Sequence, residues 1–84
     1  MRVEDATRLL MKISAADQRT VGQADILFWA EVIPDTVETE DALNAVTLHY
    51  RKSTDRIMPA HVIRQSRRAR ATRLGADRYY GDDL

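Results

Sequence analysis

Apolar positions recur at helical spacing along most of the chain. From Val3 to Ala16, the residues Val3, Ala6, Leu10 and Ile13 fall on one face, with Leu9 and Ala16 beside it. Glu4 and Asp5 stand in the first turn, where the helix dipole favours negative charge. The pattern predicts a first helix over this stretch and a turn from Asp17 to Thr20. In Thr20-Val21-Gly22-Gln23, a hydroxyl and an amide side chain are spaced to satisfy the free amides of a second helix, which runs to about Ile33 and is ended by Pro34.

The second helix is apolar around its circumference. Ile26, Trp29, Ala30 and Ile33 form one stripe, while Ala24, Phe28 and Val32 form another on roughly the opposite side. Two apolar stripes predict burial on two sides, which would make this helix the centre of the fold. Core filling is the leading expectation for both. Phe28 and Val32 are the candidates for a partner-facing patch, and the pair of faces makes the helix a candidate homodimer seam.

A third helix is predicted from near Thr39, with Glu40 and Asp41 in its first turn; Asp35 with Glu38 offers an alternative, earlier start. Ala42, Ala45, Val46, His49 and Tyr50 carry its inward spacing, and Ser53 to Arg56 connect it onward. In Ile57-Met58-Pro59, proline suits the first helical position and Ile57 can staple onto the next turn. The fourth helix has Val62, Ile63, Ser66 and Ala69 as its inward line. Beyond Ser66 the apolar signal fades into "RRARATR", predicting an arm that leaves the body and stops near Gly75, with the last residues a frayed tail.

The expectation is therefore an all-α, compact, four-helix bundle-like domain over residues 1–74, with a basic extension of its C-terminal helix and a flexible tail over 75–84. Its expected core is Leu10, Ile13, Ile26, Trp29, Ile33, Ala45, Val46, His49 and Val62. Composition agrees with that class. The chain has 84 residues, 44% of them hydrophobic, with 3 Gly, 2 Pro and 6% aromatics, so turn residues and β-branched runs for several short strands are lacking. The absence of cysteine excludes disulfides and thiolate-rich metal sites. The longest apolar run, "ILFWA", is far shorter than a membrane span, and no basic-then-apolar leader opens the sequence. The expected location is the cytoplasm of a bacterial host cell, away from membranes.

Net charge is zero, but it is unevenly distributed. Residues 1–50 carry 4 basic and 9 acidic side chains, a balance of −5, whereas residues 51–73 carry 8 basic side chains against Asp55 alone, a balance of +7. An acidic body bears a basic arm. Arg64, Arg67, Arg68, Arg70 and Arg73 cover more than half of the helix circumference. They are the candidate contact to a partner protein or to nucleic acid, since a guanidinium grips carboxylate or phosphate through two hydrogen bonds. The alternative is a solvated helix end whose arginines pair with the acidic body or complement the helix dipole.

No nucleophile with an adjacent base, paired carboxylates or phosphate-binding glycine loop stands out, so no catalytic, cofactor-binding or metal residue is assigned and the chain is read as a non-enzyme. His49 and His61 fall on different predicted helices without a carboxylate at ligand spacing. The first is expected to pack inward beside Tyr50 and the second to be a first-turn polar residue.

The order of landmarks carries one resemblance. An aromatic-rich helix ends before a short acidic loop; Ala45-Val46 is followed by His49-Tyr50; then come Ile57-Met58-Pro59, Val62 and a terminal arginine run. Over roughly residues 24–70 this resembles the phage helicase-loader family of Bacillus-phage type, small proteins that hold and deliver a hexameric replicative helicase. The resemblance implies a compact helical domain without ATPase motifs, contacting the helicase and the origin-binding replisome organiser. It implies a stoichiometric loader or inhibitor of the replicative helicase, encoded by a phage, a prophage or another mobile element. The chain departs from the family in its dense basic arm and very short tail, which moves the expected helicase contact to the arginines of the fourth helix. Two other readings stand beside it: a small DNA-binding regulator using the same helix, and a host-takeover or antitoxin-like interaction module.

Overall fold

The computed structural model describes the backbone of residues 1–79 and the side chains of residues 1–72. Among the described residues every regular element is helical: α1 (Val3–Asp17), α2 (Gln23–Val32), α3 (Thr39–Lys52) and α4 (Pro59–Tyr79). The chain folds as an all-α bundle.

Each helix begins and ends for local reasons. α1 stops because Gln18 turns left-handed at φ 62°, and its amide closes onto the Ser14 carbonyl at 2.8 Å. α2 starts two residues later than the Thr20 cap predicts: Gly22 is the capping residue, and the Asp25 carboxylate reaches back to accept its amide at 2.9 Å. The acid in the third helical position therefore does half of a capping box. α3 begins at Thr39, as its pattern predicts, and α4 at Pro59. The Met58 carbonyl takes the amides of His61 and Val62, while the Met58 amide donates to His61 Nδ1 at 2.9 Å. α4 does not stop at Gly75 but runs to Tyr79. Glycine weakens a helix by about 1 kcal/mol and terminates it only where the chain turns away. The expected tail beyond residue 79 lies outside the described residues.

The core is a slab built by α1, the inner side of α2, the inward faces of α3 and α4, and two loop residues. Leu9, Leu10, Ile13, Trp29, Ile33, Ala42, Val46 and Val62 meet there with Val37 and Ile57. Ala6 and Ala45 are also buried. Val3 and Ala16, expected on or beside the α1 stripe, lie at the two ends of the helix and are exposed. Ile26 and His49, expected in the core, are half-buried instead. Ile26 packs on the core's edge, and His49 turns its ring to the α3–α4 loop, where Nε2 donates to the Asp55 carbonyl at 2.7 Å.

The largest correction concerns α2. The helices are layered in the order α2, α1, α3, α4, with α1 against both α2 and α3, and α4 against α3. The centre is thus α1 and α3, because they carry single clean apolar stripes that can be covered on two flanks. α2 lies at one end of the layering and buries only its Trp29 side, leaving Leu27 50%, Phe28 55% and Val32 38% exposed.

A polar cluster fastens the four segments at the far end of the core. Arg19 Nε lies 3.0 Å from both Asp17 carboxylate oxygens, and its Nη2 donates to the Ile57 carbonyl at 2.8 Å. The Tyr50 hydroxyl donates to Asp17 at 2.7 Å and accepts the Ile57 amide at 3.0 Å. The Arg19 guanidinium stands 5.8 Å from the Trp29 ring centroid. Hydrogen bonds from Arg19, with help from Tyr50, outweigh burial and hold the Asp17 carboxyl down at about 2, and the same pairing raises the Arg19 value.

Candidate partner-binding surface on helix four

α4 changes character along its length. Pro59, Val62 and Ser66 are buried against α3 and the loops, and Ile63, Gln65 and Ala69 are half-buried, but Ala71 and Thr72 are exposed. The inward line thus thins within three turns, as the fading apolar pattern predicts. At 1.5 Å per residue, the 21-residue helix is about 31 Å long, and its described buried residues all lie between Pro59 and Ser66.

The arginines on this helix divide by direction. Arg64, Arg67 and Arg68 are exposed and, at spacings of three and four, share the outward face. None of them forms an ion pair among the described residues. Arg70 is exposed but lies on the flank, where its Nη1 stands 3.5 Å from the Thr36 carbonyl, at the weak limit of a hydrogen bond. The side chain of Arg73, the fifth arginine expected here, lies outside the described residues. Among the described residues, the acidic body does not neutralise the outward row.

Beside that row, Thr36, Val37, Glu38, Asp41, Ser66, Arg67 and Arg70 border a hollow of about 60 Å³, room for little more than water. The Ser66 hydroxyl at its wall is buried and makes no hydrogen bond. Nothing in the sequence pattern foretold that orphan, because serine at an inward helix position reads as a small core residue.

The structure also brings together what the sequence left apart. His49 and His61 lie with ring centroids 5.0 Å apart across the α3–α4 loop. Their bonded nitrogens serve the chain itself: His49 Nε2 holds the Asp55 carbonyl and His61 Nδ1 holds the start of α4. Among the described residues no group of three or more His, Cys, Asp or Glu converges as a metal site would require. The hub formed by Asp17, Arg19 and Tyr50 went unseen because Tyr50 is thirty-three positions from Asp17 and each residue is ordinary in its own segment.

A second hollow, about 330 Å³, opens between the start of α2 and the α3–α4 loop. Leu10, Val21, Phe28, Trp29 and Met58 form its apolar walls, and Asp25 and Arg56 stand at its polar side. Phe28 and Val32, the expected partner-facing patch, are on the exposed side of α2, and Phe28 forms one lip of this hollow.

No family model, curated protein or solved structure matches this chain. No helix among the described residues is long and apolar enough to cross a membrane.

Proposed function

We propose that this protein is a non-catalytic replication accessory factor of phage type that binds a hexameric replicative helicase through α4, as loader or inhibitor. The observation that carries the reading is the row of Arg64, Arg67 and Arg68 on α4, exposed and without an ion pair among the described residues. Three bare cations on one rigid face need a counter-surface of carboxylates or phosphates. The order of landmarks from the aromatic helix to the arginine run, which resembles the helicase-loader family, supplies the choice of helicase.

Charge favours an acidic protein over a duplex. Glu38 and Asp41 border the same small hollow as Arg67 and Arg70. A phosphate backbone lying along α4 would run into those carboxylates, whereas a protein patch can be shaped around them. The action would be stoichiometric: binding shifts the helicase between competent and blocked states by its unequal affinity for them.

The test is capture of purified replicative helicase from the same host by the tagged protein, with the R64E/R67E/R68E variant alongside. Retention by the wild type and loss of at least about tenfold in affinity by the variant is the expected result, since each exposed pair contributes up to about 1 kcal/mol. Equal capture by both, or none by either, overturns the reading. Binding of duplex DNA instead, weakening by orders of magnitude between about 50 and about 200 mM salt, would assign α4 to nucleic acid.

A further inference from the structure

The exposed side of α2 is organised as half of an interface. Among the exposed positions of this helix, Ala24, Leu27, Phe28 and Glu31 are spaced three and four apart, with Val32 beside Phe28. They make a ridge with a small residue near its start, two large apolar side chains in the middle and one carboxylate towards its end. Leu27 and Phe28 are 50% and 55% exposed. Beside the first half of the ridge lies the apolar hollow of about 330 Å³, large enough to accept an aromatic ring, and Arg56 stands at its polar side. Arg56 is exposed and makes no ion pair among the described residues, while Asp25 across the hollow is already committed to the Gly22 amide.

Ridge and hollow are complementary to each other, and they belong to the same surface. We propose that two copies of this chain pair antiparallel across α2 about a twofold axis near Leu27 and Phe28. Each Phe28 enters the hollow of the other copy, and each Glu31 faces the other copy's Arg56. Antiparallel pairing about that point sets position 31 of one helix opposite position 24 of the other. There Ala24 permits close approach, and Arg56 supplies the positive charge. The hollow with Arg56 borders that same first half, so apolar anchor and acid arrive together. A parallel pair would instead bring the two Glu31 side chains to each other. The interface is small, built on a ten-residue helix and one loop, so it belongs with weak, exchanging contacts.

Sedimentation equilibrium tests this with the full chain between about 5 and about 500 µM, the range over which contacts of this size exchange. The expected result is a mass that climbs from 9.6 kDa towards twice that value. Phe28→Asp should hold the mass at one chain throughout while leaving the helical circular dichroism unchanged, because Phe28 is outside the core. Glu31→Arg and Arg56→Glu should each weaken pairing by about tenfold, and the two together should restore it to within about threefold. A wild type that stays at single-chain mass overturns the proposal. So does association that Phe28→Asp leaves intact, or a double variant no better than the single ones. None of these substitutions touches the α4 arginines, so helicase capture and self-association are read separately.

Discussion

Asp17 is the residue on which most of the structure converges, because its carboxylate receives Arg19 and Tyr50 from two different segments. The sign of its pH effect follows from its folded value of about 2 against an ordinary 3.8. The group is depressed in the fold, so its contribution is complete above about pH 4 and is lost as pH falls through about 2. Allowing for solvent screening near the surface, it should amount to 1–2 kcal/mol as an order of magnitude. Urea unfolding at pH 7 and at about pH 2.5 measures it: wild type should lose most of that increment on acidification, and Asp17→Asn should lose little of it. Residues of this kind are the least legible from sequence. Asp17 sits in a predicted turn, where a carboxylate is unremarkable, and nothing local says that a tyrosine thirty-three positions away will find it.

At the scale of the element, α4 is held by few residues, and two of them have opposite effects. Ile57, just ahead of the helix, is fully buried and its backbone is gripped by both Arg19 and Tyr50. Ile57→Ala should cost about 2–4 kcal/mol and loosen the start of α4, seen as a lower urea midpoint and faster amide exchange at His61 to Ile63. Ser66 is the converse. Its buried hydroxyl lacks a partner, and alanine is the better helix former, so Ser66→Ala should raise stability by about 1 kcal/mol, or several degrees in Tm. An unchanged or lower Tm would show that the hydroxyl is satisfied by water from the adjoining hollow.

For the molecule as a whole, the sequence announced elements better than it announced their arrangement. α1, α3 and the start of α4 were legible because each has one apolar stripe and recognisable ends, such as Glu4 and Asp5 in a first turn or Pro59 at a first position. The site was legible in part: five arginines in ten positions declare a basic face, but only the packing of α4 separates Arg64, Arg67 and Arg68, pointing out, from Arg70, turned towards Thr36. α2 was misplaced for a physical reason. Two apolar stripes look the same in a sequence whether the second is covered by the chain's own core or by another molecule, and counting apolar positions cannot tell them apart.

The exposed ridge of α2 and the arginine row of α4 stand on different helices and share no residue. Surfaces that share no residue can be engaged by two different partners. Under the proposed pairing at α2, two arginine-bearing arms would be offered together to the proposed helicase ring, whose identical subunits repeat any one contact. The second arm would then bind at the effective concentration set by the first, and a contact too weak to persist singly could gain about a hundredfold in residence by being made twice.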